Sequence, residues 1–265
     1  MTPSKFAGIK ILMCEPVPER PEVPAHRGWW QKTAERVARP GVTLDFKGLK
    51  KGYFGITTYE QAYNGVEMAQ RAYEAEKKGY DAFIIGCASD MGLKECRALT
   101  GIPVVAPTEA SCLVASTLGD KFSVIDLQGF TRPVIEGAIR NAGLSSKLAS
   151  IRYPDGLTAG KAFQMTYGGK QDQLIEMLTS EMAKAVKEDG AEALFVSCIV
   201  TSALLNMKEV REVAGVPVID ILAASIKMAE AMVDLKRAYG ISVCRKSLYM
   251  SPSSGWDKQL PITFD

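Results

Sequence analysis

The sequence has a single histidine, His26, and its six cysteines form no Cys-x-x-Cys pair. Zinc sites need several cysteine, histidine or carboxylate ligands that converge, and these spacings do not indicate such a set, so we expect no bound metal. Neither a GxxxxGKS/T nor a GxGxxG motif occurs, and the pair Gly168-Gly169 does not make a phosphate loop. Without such glycine-rich loops we expect no nucleotide cofactor.

Long hydrophobic runs and an excess of one charge are also missing. The apolar run near the N-terminus, Ile9 and residues 11–14, is too short for a signal sequence and far too short to cross a bilayer. The formal net charge is +2, and no basic cluster alternates with aromatic residues, so nothing indicates a nucleic-acid or membrane partner. We therefore expect a cytoplasmic protein with reduced cysteines that acts on a small molecule.

What the sequence does have is a regular alternation of short apolar runs and amphipathic segments. Strands are predicted at residues 9–13, 42–46, 81–86, 103–106, 122–127, 147–153, 193–197 and 217–220. Helices are predicted at residues 57–79, 131–142, 171–190 and 222–238. The first of these helices has Thr58 and Gln61 at the spacing of a capping box and ends at Gly79. Apolar strands that alternate with helices indicate an α/β fold with mostly parallel sheets flanked by helices.

Much of this pattern occurs twice. GYDAFIIGC at 79–87 matches GAEALFVSC at 190–198 with an offset of 111 residues, and GIPVV at 101–105 matches GVPVI at 215–219 with an offset of 114. A repeat of this length is too long for a solenoid and indicates two related α/β lobes. The expected lobes are residues 1–107 plus 222–265, and residues 108–221.

Each copy of the repeat ends its strand with a cysteine, Cys87 in the first copy and Cys198 in the second. In open α/β sheets, ligands bind outside the carboxyl ends of the strands. If the two lobes face each other about a pseudo-twofold axis, both thiols point into one cleft from opposite sides. Each cysteine also precedes a predicted helix, whose N-terminal amides and dipole favour a thiolate.

Two opposed thiols suit the inversion of a carbon atom next to a carbonyl group. One thiolate removes a proton from one face, and the other thiol delivers a proton to the opposite face. Contact on both sides of one carbon requires the sulfur atoms to lie roughly 7–8 Å apart. Polar side chains in the same turns are candidates either to bind the substrate or to cap helices, with the cap favoured for Asp90. They are Ser89, Asp90, Thr201 and Ser202.

Three segments resemble hydantoin racemases of the aspartate/glutamate racemase superfamily. They are GCASDMGLKECRALTGIPVVAPTEA at 86–110, GITTYEQAY at 55–63, and the second cysteine followed by PVID at 217–220. The resemblance implies a cofactor-free racemase or epimerase that acts next to a carbonyl, on a 5-substituted hydantoin or an amino-acid derivative. It also implies that Cys87 and Cys198 are the paired acid and base.

The chain departs from the family pattern in two places. The family's asparagine–proline–asparagine after the first strand is replaced by Cys14-Glu15-Pro16-Val17, which puts Glu15 and Pro16 in the expected substrate pocket. After the second cysteine, Ile199-Val200-Thr201-Ser202 replaces smaller residues. Decarboxylases of the superfamily keep only the second cysteine, so two cysteines favour proton transfer on both faces. A decarboxylase, a cis–trans isomerase and a two-lobed small-molecule binding protein are the alternatives.

Two segments are expected to be irregular. Residues 15–30 carry four prolines between positions 16 and 24, so we expect neither a helix nor a central strand there. This segment forms either a lid over the cleft or a tethered surface loop, and His26 within it is not expected to be catalytic. Residues 152–169 are expected to close over the cleft from the other lobe, with Thr166 and Tyr167 as candidate polar contacts.

The remaining expectations concern packing. Cys96, Cys112 and Cys244 are expected to be small buried side chains. Thr108 is expected to cap a helix that begins at Glu109. We expect a homo-oligomer, for which the exposed faces of the final helix are the candidate contact surface.

Overall fold

The computed structural model describes residues 8–20 and 24–256, and in this part of the chain two β-sheets are flanked by helices. The strands of the first sheet are β1 (Ile9–Pro18), β2 (Val42–Leu49), β3 (Ala82–Ile85) and β4 (Val104–Val105). They lie in the order β2-β1-β3-β4 and are all parallel. The helices along this stretch are α1 (Ala25–Val37), α2 (Thr58–Lys77) and α3 (Leu93–Leu99).

The second sheet is also dominated by parallel strands. It consists of β5 (Phe122–Ile125), β6 (Leu148–Arg152), β7 (Ala193–Val196), β8 (Glu212–Val213) and β9 (Val216–Ile219). The order is β6-β5-β7-β9-β8, and β8 is antiparallel to β9. The helices are α4 (Pro107–Leu118), α5 (Arg132–Asn141), α6 (Ala159–Tyr167), α7 (Gln171–Asp189), α8 (Ile199–Met207) and α9 (Ile221–Tyr239), with short 3₁₀ turns at Gly129–Thr131 and Ser145–Lys147. The predicted α/β fold of two mostly parallel sheets is confirmed.

The central strands are buried on both faces, as their apolar sequences predict. All four residues of β3 and all four of β7 are buried, which is typical of parallel strands covered by helices on each side. One apolar cluster extends from Ile11 and Ile84 in the first sheet to Phe122 and Phe195 in the second. The two sheets therefore share a hydrophobic core. Separate apolar clusters cover the outer face of each sheet.

The sequence repeat is visible in the element boundaries. Strands β3 and β7 begin and end 111 residues apart, and helices α4 and α9 begin 114 residues apart. Even a side-chain contact recurs, because the hydroxyls of Ser111 and Ser225 each donate a 2.6 Å hydrogen bond to the first carbonyl of their helix. Helix α9 packs on β3 and β4, α4 packs on β5 and β7, and the two helices pack on each other. The division of the chain at residues 107 and 222 stays a prediction.

The prediction that residues 15–30 contain neither strand nor helix was wrong. Strand β1 continues to Pro18, which pairs with Leu49 after a register shift, so these prolines lie at an irregular end of the strand. Helix α1 begins at Ala25, directly after Pro24. A proline at this position costs no hydrogen bond, because the first amides of a helix have no partner within it. Residues 21–23, which include one of the four prolines, lie outside the described ranges.

Several smaller predictions also differ from the structure. The capping box of α2 is Thr57 and Glu60, one residue earlier than expected, with the Thr57 amide donating 2.9 Å to Glu60 Oε2. Residues 152–169 were expected to be irregular, but residues 159–167 within them form helix α6. Cys244 is exposed, although Cys96 and Cys112 are buried. Within the described ranges, the helices include none that is both long and apolar enough to span a bilayer.

Candidate active site

Cys87 is positioned by the close approach of two strands. Strand β3 ends at Ile85, and the Gly86 amide donates a 2.7 Å hydrogen bond to the carbonyl of Cys14 in β1. A Cβ at Gly86 would lie 2.6 Å from that carbonyl oxygen, so only glycine fits this contact. Glycine before cysteine thus keeps the two strand ends together and leaves the Cys87 thiol at the tip.

The segment after Cys87 is a tight turn and not a helix. Asp90 and Gly92 have φ angles of 53° and 71°, and α3 begins only at Leu93, so the predicted helix N-terminus directly after Cys87 was wrong. The Ser89 hydroxyl lies 3.2 Å from Cys87 Sγ. Burial raises the pKa of the Cys87 thiol, and the contacts with Ser89 oppose this rise.

Cys198 does directly precede a helix. It is the N-cap residue of α8. Burial raises the pKa of the Cys198 thiol, while the Thr201 hydroxyl and the amides of Thr201 and Val200 act to lower it. The Thr201 hydroxyl oxygen is buried and has no partner of full hydrogen-bond geometry among the described residues, so the Cys198 sulfur is the neighbour on which it acts. This orphaned donor next to the thiol is unusual, because an unsatisfied buried hydroxyl costs about 1–3 kcal/mol.

A charge on one of the two thiols acts on the other. Negative charge at Cys198 adds to burial in raising the pKa of Cys87. Because two adjacent negative charges repel, this pair disfavours the state in which both cysteines are thiolates. The 7–8 Å separation of the sulfur atoms stays a prediction.

Two of the predicted substrate-binding side chains are engaged at helix N-termini. Asp90 accepts hydrogen bonds from the amides of Thr108 (3.0 Å) and Glu109 (2.9 Å) at the start of α4. Burial raises the pKa of Asp90 to about 7, against the effect of these two amides. Ser202 Oγ accepts a 3.2 Å hydrogen bond from the Ile221 amide at the start of α9. Both side chains thus bind the start of a helix distant in sequence, whereas the cap alternative expected them to cap the helix that follows their own strand.

Thr108 has a different contact from the one its sequence position predicts. Helix α4 begins at Pro107, before Thr108, so Thr108 is not its N-cap. The Thr108 hydroxyl donates a 2.6 Å hydrogen bond to the carbonyl of Ala88, next to Cys87. The start of α4 therefore holds the cysteine turn in place through both Asp90 and Thr108.

Glu15 and Pro16 both have protein partners. The Glu15 carboxylate accepts hydrogen bonds from the Arg27 guanidinium and from His26 Nε2 at 3.2 Å. Burial alone would raise the pKa of Glu15, but the hydrogen bonds from His26 and Arg27 outweigh it and hold the pKa below its usual value. The Pro16 carbonyl accepts a 3.1 Å hydrogen bond from Asn64. Glu15 is therefore an ionised, buried carboxylate.

The histidine has contacts that sequence reasoning missed. His26 Nδ1 lies 2.6 Å from the Tyr167 hydroxyl, and Trp29 stacks on the Tyr167 ring with centroids 6.2 Å apart. The indole N–H of Trp30 donates a 3.4 Å hydrogen bond to the carbonyl of Ile199, next to Cys198. Tyr167 was a candidate polar contact, whereas Thr166 donates to the Ala162 carbonyl within its own helix. No local pattern pairs residues that are 141 positions apart.

The arrangement offers two thiols as acid or base groups. Two partly buried cysteines end equivalent strands of the two sheets, each beside a hydroxyl side chain. Across the ranges that the structure describes, histidine, cysteine and carboxylate side chains form no group that could hold a metal ion.

Comparison with known proteins shows what this chain is similar to. The model of the Asp/Glu/Hydantoin racemase family matches residues 30–229. The hydantoin racemase of Pseudomonas sp. (strain NS671) is 31% identical over 207 residues, which cover 77% of this chain and 80% of that protein. The hydantoin racemase of Paenarthrobacter aurescens is 28% identical over 222 residues, covering 83% and 89%. The crystal structure of allantoin racemase from Pseudomonas fluorescens superposes with a TM-score of 0.78 at 25% identity, covering 92% of this chain and 97% of that one.

Proposed function

This chain belongs to the Asp/Glu/hydantoin racemase family and is an isomerase, and on that premise we propose that it inverts a carbon next to a carbonyl by proton transfer between Cys87 and Cys198, without a cofactor. The proposed substrate is a 5-substituted hydantoin or a related amino-acid derivative. The observation that carries the proposal is the pair of thiols at equivalent strand ends, close enough for the charge of one to raise the pKa of the other.

The proposed reaction conserves protons and exchanges the roles of the two cysteines. A thiolate takes the proton from one face of the carbon and leaves a carbanion that the neighbouring carbonyl holds as an enolate. The thiol of the opposite cysteine gives its proton to the other face. The first cysteine ends as a thiol and the second as a thiolate, which is the state needed for the reverse direction.

Two hydroxyl groups support the charge that develops. The Ser89 hydroxyl lies 3.2 Å from Cys87 Sγ, and the unpartnered Thr201 hydroxyl and the first amides of α8 act on Cys198. These donors are fixed by the turn and the helix before any substrate binds. Fixed donors of this kind stabilise an enolate oxygen or a thiolate without a cost of reorganisation.

The proposal predicts separable effects of Cys87→Ser and Cys198→Ser. We expect each variant to lose racemisation in both directions by about 10²-fold or more, because inversion needs an acid and a base on opposite faces. Each should still exchange the substrate proton with D₂O for the one enantiomer whose proton faces the remaining thiol. Racemisation is followed by optical rotation, and exchange by NMR, with each enantiomer of a 5-substituted hydantoin.

The exposed Cys244 offers a matched control, since Cys244→Ser makes the same chemical change at a cysteine outside the two repeated strand ends. A Cys87 or Cys198 variant that racemises at the parent rate would rule out the two-thiol mechanism. Release of CO₂ or isomerisation of an alkene, in place of loss of optical rotation, would instead indicate the chemistry of the decarboxylase or cis–trans isomerase alternative.

A further inference from the structure

A row of three polar side chains connects β1, α1 and α6. Glu15 lies in β1, His26 in the first turn of α1, and Tyr167 is the last residue of α6. His26 bridges the other two, with Nε2 at 3.2 Å from Glu15 Oε2 and Nδ1 at 2.6 Å from the Tyr167 oxygen. Only 4% of Glu15 and 7% of His26 are exposed. The thiol mechanism assigns no role to this row.

The partners of His26 determine where its proton lies. Glu15 is ionised and can only accept, so the Nε2 atom of His26 must carry the hydrogen. In the neutral ring, Nδ1 then has a lone pair and accepts the hydroxyl hydrogen of Tyr167. That hydrogen is present, because burial, Cys198 and Glu15 raise the pKa of Tyr167 to about 12. The Tyr167 oxygen is left with lone pairs and no free hydrogen.

Helix α1 connects Tyr167 to the residues next to Cys198. Trp29 and Trp30 belong to the same helix as His26; Trp29 stacks on Tyr167, and Trp30 bonds to the carbonyl of Ile199. The charge of Cys198 also acts on the Tyr167 hydroxyl. The Tyr167 oxygen is therefore a candidate partner for atoms next to a substrate carbon held against the Cys198 sulfur.

We propose that Glu15 and His26 orient Tyr167 as a hydrogen-bond acceptor, so that the site selects substrates that carry an N–H group directly beside the stereogenic carbon. Tyr167 is the residue that binds this group, and Glu15 and His26 are positioning residues. This inference rests on the proposed function, because it names a feature of the substrate of the same site. An amide-type N–H beside the carbon fits, whereas a carboxylate in that place would meet another acceptor.

The charges around the row agree with this preference. Arg27 is already paired with Glu15 and Glu19, so its charge is balanced by carboxylates of the protein. Arg20 acts weakly on Tyr167 and stacks on the Phe54 ring at 4.9 Å. The buried negative charge of Glu15 opposes a second carboxylate nearby.

The proton position is directly measurable, because His26 is the chain's only histidine. In ¹⁵N-histidine-labelled protein at neutral pH, we expect the nitrogen shifts of a ring protonated at Nε2 and accepting at Nδ1. Glu15→Gln should weaken this preference, since a neutral amide can donate as well as accept. A ring protonated at Nδ1 in the parent protein would overturn the proposal. This spectrum needs no turnover, so it stands apart from any failure of the proposed function.

Kinetics test the contact with substrate. A 5-substituted hydantoin is compared with its derivative methylated on the nitrogen next to the stereogenic carbon, using kcat/KM or, where turnover is absent, the inhibition constant. Tyr167→Phe keeps the ring and removes the acceptor. For the N–H compound it should therefore lower kcat/KM, or raise the inhibition constant, about three- to tenfold, and for the N-methyl compound it should change neither. His26→Gln should have the same selective effect.

A variant that changes only the packing around Tyr167 separates the orientation of its hydroxyl from a general effect on the fold. Phe163 stacks on Tyr167 with centroids 6.5 Å apart and contributes no polar group, so Phe163→Leu should not change the ratio between the two compounds. Equal losses for both compounds in Tyr167→Phe would mean that the row only supports the fold, and would overturn the proposal. If the parent protein acts on neither compound while the nitrogen shifts are as expected, the proposed substrate class is wrong and the proton arrangement stands.

Discussion

At the scale of single residues, two neighbouring hydroxyls in α8 differ in whether they have a hydrogen-bond partner. Thr201 and Ser202 are 1% and 3% exposed. Ser202 accepts a hydrogen bond from the Ile221 amide, whereas the Thr201 hydroxyl makes none to the described part of the chain. A buried hydroxyl without a partner lowers stability. It acts to lower the pKa of the Cys198 thiol, and under the proposed function it also acts during the reaction.

Replacing Thr201 should therefore separate stability from activity. Thr201→Val keeps the side-chain shape and removes the orphaned hydroxyl, so we expect unchanged stability or a gain of up to about 1–3 kcal/mol. We expect kcat/KM to fall about 10²–10³-fold, as for loss of one fixed donor. Urea unfolding and the racemisation assay measure the two effects.

Ser202→Ala is the comparison variant for stability. It leaves the Ile221 amide at the start of α9 without its partner and should lose about 1–3 kcal/mol. A Thr201→Val protein that is as unstable as Ser202→Ala, or that retains parental activity, would contradict the role given to Thr201.

At the scale of elements, the site depends on how strand ends meet helix starts. Gly86 allows β3 to approach β1 at the point where Cys87 emerges. Asp90 and Thr108 then join the cysteine turn to the start of α4. In the other lobe, Ser202 makes the equivalent connection to the start of α9. The segment after each cysteine is thus tied to the helix that follows the parallel strand adjacent to its own, α4 after β4 and α9 after β9.

Gly86→Ala should disturb this junction. The added Cβ would lie 2.6 Å from the Cys14 carbonyl oxygen, which is backbone and cannot rotate away. We expect a loss of about 1–3 kcal/mol and reduced racemisation, because Cys87 is displaced. Unfolding and activity are measured as for Thr201.

Gly137→Ala is the control for this substitution. Gly137 lies within α5, and its added Cβ would come no closer than 3.6 Å to the Arg140 side chain. This variant should gain up to about 1 kcal/mol from helix propensity. If Gly86→Ala behaved like Gly137→Ala, the close approach of β3 and β1 would not be what positions Cys87.

At the scale of the whole molecule, the two lobes form one packed unit. Helices α4 and α9 pack on each other, and one apolar cluster includes residues of both sheets. The thiols follow strands of different sheets, and the His26–Tyr167 contact joins α1 to α6. The site therefore exists only when both halves of the chain are folded against each other.

The interaction between the charges of the two thiols predicts that kcat/KM is highest at alkaline pH. Burial raises the pKa of both Cys87 and Cys198, and the charge of Cys198 raises that of Cys87 further. The proposed active state has one thiolate, so kcat/KM should rise as the first proton leaves and fall as the second leaves. The rising limb should lie at or above the ordinary thiol pKa of about 8.5. A profile that is already flat at neutral pH, measured with both enantiomers, would contradict this assignment.

Much of the fold could be predicted from the sequence because its signals are local. The apolar runs of β3 and β7 report burial on both faces, and Gly79 and Gly190 mark helix ends at positive φ. The prediction that residues 15–30 contain no helix was wrong at α1, because Pro24 lies just before the first helical residue and breaks no hydrogen bond of the helix. Helix α6 was missed because its nine residues carry only a short periodic pattern.

The sequence by itself determined the duplicated α/β architecture and the two cysteines at equivalent strand ends, since repeats and periodicity are properties of neighbouring residues. Only the tertiary structure decided that Asp90 caps α4, that the Thr201 hydroxyl stays unpaired, and that Glu15, His26 and Tyr167 meet. These contacts join residues 11 to 141 positions apart. Their geometry arises when the lobes pack together, and no local pattern encodes it.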